Sequence, residues 1–308
     1  MLRPPRINTS QLIAFFFVGT ERNFTTAAEK FCLTQPAVTK HIRALERQFA
    51  VKLIQVRKKR VHLTETGQKL MEYASEIYHS AMKAESLLAS AQNTNFRIGV
   101  SSSLTASLAP ILERFRELNP SILLSVKEGA SLQIVEELSN FEHDLCVVAP
   151  LSKVSDELQV FRIPETEKMV LVTSPGSSWA RGRNLTWSDL GGHPFILHRE
   201  GSIVRQLILE HFRERGIEIR PVANIDSINC MKRLIQEGEG VALMMLSSVK
   251  GEVASRRLKI VPITDGDFKM GMDIVMPKRV TLSRACRAFL SLLETHFERK
   301  LFPPLEEL

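Results

Sequence analysis

The sequence has few of the features from which enzymes and secreted proteins are built. Its 308 residues include only four cysteines, and these lack the paired spacing of a disulfide framework or a Cys-based zinc site. It has no phosphate-binding loop, no His-Glu-x-x-His, no Gly-x-Ser-x-Gly and no clustered metal ligands. Gly238 and Gly240 lack the third glycine of a dinucleotide fingerprint. The sequence therefore predicts a protein of a reducing compartment that is not an enzyme and needs no cofactor.

The cysteines themselves are predicted to have structural roles. Cys32 and Cys146 lie in apolar runs and are expected to be small core residues. Cys230 is the candidate for a thiol sensor, although no second cysteine lies close enough in sequence to resolve a sulfenic acid.

Long hydrophobic runs are also missing. The run from Leu12 to Val18 is too short to span a membrane, and Glu21 and Arg22 follow it without a small-residue cleavage pattern. We interpret it as a first helix that begins near Asn8 to Ser10. This absence predicts a cytoplasmic protein that does not contact the membrane. The residues expected to face the core are Leu12, Phe15, Phe16 and Gly19.

Positive charge is concentrated at one end of the chain. The formal net charge is only +7, but residues 1–63 contain twelve Lys or Arg against Glu21, Glu29 and Glu46. A polyanion is therefore expected to bind at this end. The length and the ordinary composition indicate two or three soluble globular domains.

The stretch from Asn23 to Phe49 predicts two short helices separated by a tight break. Thr26 and Glu29 have the spacing of a capping box for the first helix. Thr34 is the predicted cap of the second helix, and Pro36 lies in its first turn, where a missing backbone N–H costs least. A stripe at helical spacing is expected to be buried, and it consists of Val38, Ile42, Leu45 and Phe49.

The opposite face of the second helix has the chemistry of duplex recognition. Arg and Gln form bidentate hydrogen bonds with guanine and adenine edges, and Lys suits a phosphate. An ordinary solvated helix face is the alternative. The polar residues of this face are Gln35, Thr39, Lys40, Arg43 and Arg47.

A basic hairpin follows and favours the DNA interpretation. Two short strands are predicted from Val51 to Val56 and from Val61 to Leu63. The tip between them consists of Arg57, Lys58, Lys59 and Arg60, which suits a phosphate backbone. Together these elements predict a winged helix-turn-helix whose second helix enters the major groove.

The order AAEKF, LTQPAVTKHIRALE, basic wing and LTETG resembles the LysR-type bacterial transcriptional regulators. The resemblance extends over the whole chain. It differs where Ala50 replaces the family's usual Gly and where Leu53 to Val56 replace a Leu-Phe-x-Arg run. The resemblance implies that DNA is contacted by Thr34, Gln35, Pro36, Thr39, Lys40 and Arg43 and by the wing at Arg57, Lys58, Lys59 and Arg60.

A long helix is predicted from Glu65 to about Gln92, after a cap at Thr64. Its heptad pattern is typical of a coiled-coil seam, and a helix lying on its own domain is the alternative. A dimer or tetramer on double-stranded DNA would require a pseudo-palindromic site, and RNA polymerase is a further candidate partner. A hinge is expected at Ala91 to Asn95. The seam positions are Leu70, Ala74, Ile77, Ala81, Ala84, Leu88 and Ala91.

Beyond residue 95 short apolar strands alternate with helices, which indicates parallel α/β sheets. The predicted fold class is α/β, with an N-terminal winged helix-turn-helix (1–63), a long dimerisation helix and hinge (64–94), and a two-lobed effector-binding domain (95–308). The last resembles the periplasmic binding proteins. Lobe I comprises residues 95–164 plus 269–308, and lobe II comprises residues 165–268.

An effector is expected at the carboxyl ends of the strands. Ser101 to Thr105 and Arg199 to Ser202 each open a predicted helix, where hydroxyls and backbone N–H groups can hold an anion. Simple helix caps and a solvated Arg199 are the alternative, and a solute receptor with a fused helical head is the other class of protein considered. The family resemblance implies effector contacts from Ser101, Ser103, Leu104 and Ser202, followed by Arg199 and Ala149.

Overall fold

The fold is taken from a computed structural model, which describes residues 5–57, 60–91, 95–180, 185–278 and 282–305. The chain divides into two compact units, Met1–Leu88 and Ala89–Leu308, which we call the N-terminal and C-terminal units. Each has its own hydrophobic core.

The N-terminal unit is a helical bundle with a two-stranded hairpin. Leu12, Phe15 and Val18 of its first helix pack against Val38 and Ile42 in the core. Its helices are α1 (Thr9–Glu21), α2 (Phe24–Lys30), α3 (Gln35–Phe49) and α4 (Glu65–Ala91), and its strands are β1 (Ile54–Arg57) and β2 (Arg60–Leu63). The predicted winged helix-turn-helix is confirmed.

Three details of this unit differ from the prediction. The cap of α2 is Asn23, whose side chain accepts from the N–H groups of Thr25 and Thr26, so the predicted capping box at Thr26 was wrong. Phe49 is 44% exposed because α3 ends there and its last turn extends past the core. Cys32 is exposed, with a φ of 52°, because it lies in the turn between α2 and α3.

Ala50 ends α3 in a left-handed conformation, with φ 52° and ψ 39°. Its backbone N–H donates to Arg47 and Glu46, as in an ordinary helix end. Glycine adopts this conformation without a Cβ clash, whereas an L-residue is strained by about 1–2 kcal/mol. The departure from the family pattern at Ala50 therefore costs stability but leaves the turn intact.

The long helix α4 has two different halves. Ala74 is fully buried, and Leu70 and Ile77 pack against the core of the N-terminal unit. Farther along the helix, Ala81 and Ala84 are exposed and Leu88 is 70% exposed. Only the second half of the predicted seam is therefore available to another chain. The predicted cap is confirmed, because the Thr64 hydroxyl accepts from Gly67 at 3.0 Å.

The C-terminal unit begins with a parallel β-α-β arrangement that forms most of lobe I. The central strand β3 pairs in parallel with β4 and with β5. Phe96 of β3 packs against Phe115 and Phe289 at ring distances of 5.1 and 5.4 Å. The elements are β3 (Asn95–Ser101), α5 (Thr105–Leu118), β4 (Leu123–Gly129), α6 (Ser131–Ser139), β5 (Leu145–Val148) and, at the end of the chain, α10 (Arg284–His296).

Lobe II contains a second set of strands and helices. Its strands β7 and β8 pair in parallel, and a single parallel bridge joins Phe195 to Val241. The elements are β7 (Pro194–His198), α7 (Ile203–Arg213), β8 (Arg220–Ile225), α8 (Ile228–Gln236), β9 (Ala242–Met245), α9 (Leu246–Ala254) and β10 (Lys259–Val261), with two short 3-10 turns, Ser178–Ala180 and Trp187–Leu190.

Two long strands, β6 (Leu158–Thr173) and β11 (Phe268–Pro277), connect the lobes. They pair with each other in an antiparallel register because the chain leaves lobe I along one and returns along the other. The predicted parallel pairing holds for β3, β4, β5, β7 and β8, whereas β6, β9, β10 and β11 pair antiparallel with their neighbours. The register shifts beside Gly271, where a Cβ would lie 2.5 Å from the Ile163 carbonyl oxygen, so the close crossing requires glycine.

Candidate functional site

The exposed face of α3 carries the residues predicted to contact DNA. Thr39 is half-buried, and its hydroxyl donates to the backbone carbonyl oxygen of Gln35 at 2.9 Å. The side chain of Gln35 takes no part in this hydrogen bond. The remaining predicted residues of this region are exposed, namely Thr34, Gln35, Pro36, Lys40 and Arg43. Pro36 lies in the first turn as predicted, but the Thr34 side chain makes no capping hydrogen bond.

Arg43 and Arg47, on the same helix, differ in whether the guanidinium group has a hydrogen-bond partner among the described residues. Arg47 folds back, and its Nε donates to the carbonyl oxygen of Arg43 at 3.2 Å. The Arg43 guanidinium is exposed and has no hydrogen-bond or ion-pair partner among the residues described. Arg43 is therefore the better placed of the two to reach a base edge.

The wing is a short antiparallel hairpin that places two of its cations opposite each other. Arg57 and Arg60 are partners in the β1–β2 register. Arg57 also donates to Gln55 at 3.0 Å, on the same strand. Lys58 and Lys59, the predicted tip, lie outside the described residues. The side chains of Arg57 and Arg60 are exposed, as phosphate contact requires.

Glu46 links α3 to the wing, a role that sequence reasoning missed. Its side chain is buried, and its carboxylate accepts from the Leu53 N–H at 2.9 Å and pairs with Lys52 at 2.8 Å. Burial would raise the pKa of Glu46, but Lys52 and the backbone N–H donors outweigh it and lower the pKa. The charged carboxylate therefore fixes β1 against α3. A glutamate next to a buried helical stripe was the only available signal.

A small cleft opens in the C-terminal unit at the carboxyl ends of β3, β4, β7 and β8. One wall comes from lobe I and consists of Ser101 to Ser103 together with Gly129 to Ser131. The other wall comes from lobe II and consists of His198, Arg199, Gly201 to Val204, Asp226 and Ile228. This is the strand edge at which the sequence predicted the ligand.

Four of the six predicted effector residues line this cleft: Ser101, Ser103, Arg199 and Ser202. The hydroxyls of Ser101 and Ser103 lie 3.3 Å apart. Leu104 and Ala149 are both completely buried in the core and are absent from the lining. Both residues are close in the chain to residues of the cleft, but their side chains are packed in the hydrophobic core.

Four helices begin at the cleft. The first residues of α6, α7 and α8 line it, and the turn before α5 does so as well. Ser202 and Ser227 cap α7 and α8 with their side chains. By contrast, α5 and α6 begin without a side-chain capping bond within the described structure. Their first-turn N–H groups are therefore not occupied by a cap and point a partial positive charge toward the opening.

One full positive charge lies on the rim. The Arg199 Nε is 2.8 Å from the Asp226 carboxylate, and the two side chains are 43% and 80% exposed. Because the pair is solvated, its net stabilisation is small, and an incoming anion can compete with Asp226 for the guanidinium. Sequence reasoning placed Arg199 in the cleft but did not predict its ion pair with Asp226.

Two buried polar side chains of the cleft were missed. Ser131, on lobe I, and His198, on lobe II, are 8% and 7% exposed. Neither side chain has a hydrogen-bond partner among the residues that the structure describes. Burial lowers the pKa of His198 to about 4, with the Asp226 carboxylate opposing the shift, so the imidazole is neutral at ordinary pH. No motif in the sequence marks either residue.

The thiols and carboxylates elsewhere offer no metal site. No group of three or more His, Cys, Asp or Glu side chains that could hold a metal ion occurs in the described part of the chain. Cys146 and Cys286 are buried, which raises the pKa of both thiols, that of Cys286 to about 12. Cys230 is exposed. None of the described helices is long and apolar enough to cross a membrane.

A winged helix-turn-helix joined to a two-lobed unit with a ligand cleft defines the class of ligand-responsive DNA-binding proteins. The comparison with protein families specifies the class further. The bacterial regulatory helix-turn-helix protein model of the lysR family matches residues 9–68, and the LysR substrate binding domain model matches residues 89–298. The chain belongs to the LysR family of transcriptional regulators and is not an enzyme.

Individual relatives agree with this assignment. The RuBisCO operon transcriptional regulator of Allochromatium vinosum is 26% identical over 92% of this chain and 94% of its own. A full-length OxyR variant from Pseudomonas aeruginosa has a similar fold, with a TM-score of 0.67 and 18% identity over 94% of this chain and 96% of its own. The regulatory domain of Synechocystis CcmR, in complex with 2-PG, has a TM-score of 0.58 and 22% identity over 66% of this chain and 97% of its own.

Proposed function

We propose that this regulator binds a small anionic effector in the cleft between its two lobes and that binding alters its affinity for, or arrangement on, DNA. The observation that carries the proposal is the convergence of four helix starts and Arg199 on one opening. No cofactor other than this effector is required.

The electrostatics of the cleft favour negative charge from both walls. Each helix N-terminus carries roughly half a positive charge, and each of these helices has at least nine residues. The uncapped starts of α5 and α6 offer backbone N–H donors, and Arg199 offers a planar guanidinium. Asp226 is the one acidic side chain among the described residues of the lining. A carboxylate or a phosphate fits this arrangement.

On the DNA side, we propose that α3 enters the major groove and the wing contacts phosphates. Exposed Gln35 and Arg43 supply base-reading groups, and Lys40, Arg57 and Arg60 supply positive charge. Thr34, Pro36 and Thr39 complete the contact surface at the start of the helix. Lys58 and Lys59 extend the same proposal to the tip of the wing.

We further propose that two chains pair through the second half of α4. Ala81, Ala84 and Leu88 are exposed at heptad spacing, and the small alanines permit close approach of a second helix. A two-fold pair of α3 helices then calls for a pseudo-palindromic duplex, and a tetramer would combine two such pairs. RNA polymerase is a candidate partner for such an assembly on a promoter.

Thermal melting of the full-length protein with a panel of small carboxylates, phosphates, sugars and uncharged amides tests the effector class. We expect stabilisation by at least one anion, about 2.7 kcal/mol at roughly 100 times its dissociation constant. Arg199→Gln should reduce the stabilisation. The matched control is Arg213→Gln, which removes an exposed arginine of α7 outside the cleft. Stabilisation by uncharged ligands alone would refute the anion proposal.

The regulatory part is tested with the same anion. Binding to duplexes selected from a random pool should change in affinity or footprint when the anion is added to the wild-type protein. The Arg199→Gln variant should retain its DNA affinity without the anion but lose the response. An unchanged footprint and affinity with saturating anion would refute the coupling.

A further inference from the structure

We propose that His198 determines the specificity of the cleft by hydrogen-bonding an uncharged hydroxyl group, so that the effector is an anion that also carries a hydroxyl. This inference rests on the proposed function, because it assumes that the cleft binds an anion. It adds a second recognition element, located on lobe II and chemically different from the charged one.

The position of His198 favours a ligand contact over a structural role. His198 is the last residue of β7, and it lines the cleft with only 7% of its surface exposed. Its backbone carbonyl oxygen accepts a hydrogen bond from the Arg205 guanidinium at 3.1 Å. The imidazole has no hydrogen-bond partner among the residues described. The ring nitrogens are not fully buried and His198 lines the cleft, so a ligand there can pair with them and gain affinity.

The charge state of the His198 imidazole limits which ligand groups can form hydrogen bonds with it. Because the imidazole is neutral at ordinary pH, it has one donor nitrogen and one acceptor nitrogen. A hydroxyl matches both because it also donates and accepts. A second ionised group at this position would gain no opposite charge from the ring and would lie near the Asp226 carboxylate, whose charge acts on His198.

The rest of the lining supports a small oxygen-rich ligand. The wall of lobe I contributes the hydroxyls of Ser101 and Ser103 and the unpartnered hydroxyl of Ser131. Apolar contact comes from aliphatic side chains, such as Ile203 and Ile228. An aromatic or long aliphatic acid would leave the Ser131 hydroxyl and the imidazole unpaired, whereas a hydroxylated carboxylate or phosphate can pair with them.

The experiment measures selectivity between anions that differ by one hydroxyl. Calorimetric titration of the full-length protein would compare malate with succinate, and glycerol 3-phosphate with propyl phosphate. The first pair tests carboxylates and the second tests phosphates. We expect the wild type to bind the hydroxylated member of at least one pair about tenfold tighter than its partner.

Variants assign that preference to the ring. His198→Leu should reduce the ratio within the pair to less than about twofold while the affinity for the member without the hydroxyl changes little. His198→Gln, which keeps a donor and an acceptor, should retain part of the ratio. The matched control is His211→Leu, because His211 is also buried and neutral in lobe II but lies outside the cleft. Its ratio should equal that of the wild type.

The outcomes separate the two proposals. Binding of anions without a preference, or a preference that persists in His198→Leu, overturns the role of His198 but leaves the anion site standing. Failure of every anion to bind the wild type overturns the proposed function itself. If His198→Leu does not fold by circular dichroism, His198→Met gives the same comparison with a more flexible apolar side chain.

Discussion

The two surfaces of this protein that suit anions are built in different ways. On the N-terminal unit, positive charge is carried by long, exposed side chains on α3 and the wing, such as Lys40, Arg43 and Arg60. In the cleft of the C-terminal unit, four helix starts supply partial positive charge, and Arg199, the only cation among the described lining residues, is already paired with Asp226.

This difference corresponds to different tasks. Exposed cations attract a polyanion over long distances and largely without regard to sequence. Helix starts act over a single turn and require a ligand of the right size in contact with them. The first surface suits searching along DNA, and the second suits discrimination among small molecules. The following measurements test that contrast.

Salt should separate the two surfaces most strongly. DNA affinity is expected to fall about a thousandfold between roughly 50 and 200 mM salt, because a dimer that contacts six or more phosphates releases as many counterions. Affinity for a small anion should fall only about fourfold or less, since one ligand charge is involved. Titrations of both ligands across this range, by fluorescence anisotropy and calorimetry, provide the measurement. Equal salt dependence would contradict the contrast.

Within the DNA surface, Arg43 and Arg47 should differ. Arg43→Ala is expected to cost about 1–3 kcal/mol on a selected site and less on random duplex, because we propose that its exposed guanidinium reads a base edge. Arg47→Ala is the matched control: its guanidinium is engaged with the α3 backbone, so the loss should be smaller and similar on both duplexes. Equal losses for Arg43→Ala on both duplexes would make it a phosphate contact.

In the cleft, removing an acid should strengthen anion binding. Asp226→Asn is expected to raise the affinity for an anion about threefold to tenfold, because Arg199 loses its competing partner and the repulsion disappears. Glu200→Gln makes the same charge change at an exposed neighbour outside the lining and should have little effect. Calorimetric titration measures both. Equal gains in the two variants would indicate a general effect of net charge.

The smallest effect concerns the turn between the recognition helix and the wing. Ala50→Gly should stabilise the protein by about 1 kcal/mol, because the left-handed backbone at this position suits glycine. Ala44→Gly, in the interior of α3, should destabilise it by a similar amount. Thermal unfolding of the N-terminal unit within the full-length protein reports both changes. A loss of stability in Ala50→Gly would show that the left-handed backbone at Ala50 is not strained.

Hydrophobic periodicity and helix-capping residues predicted many of the helices and strands. The spacing of Val38, Ile42 and Leu45 predicted the buried stripe of α3, and Thr64 predicted the start of α4. Elements without such signals were missed, notably α9, β10 and the first half of β6. Their residues pack against partners far away in the chain, and no local pattern records such contacts.

The candidate cleft was anticipated in part. Serines before predicted helices and an arginine after a strand are local signals that marked the two segments, and the family resemblance implied the individual residues. Of these, Ser101, Ser103, Arg199 and Ser202 line the cleft, whereas Leu104 and Ala149 are buried in the core. Ser131 and His198 carry no local signal, because only the arrangement of the two lobes brings them to one opening without partners.

The sequence by itself determined the class of this protein. The caps, the apolar stripe of α3, the cation cluster and the family motif are local properties, and they are sufficient to predict a winged helix-turn-helix followed by an α/β unit. The tertiary structure decided how the pieces work together. It placed Glu46 against the wing, passed β6 and β11 between the lobes at Gly271, and paired Arg199 with Asp226. These arrangements depend on contacts between distant residues, whose energies no short stretch of sequence expresses.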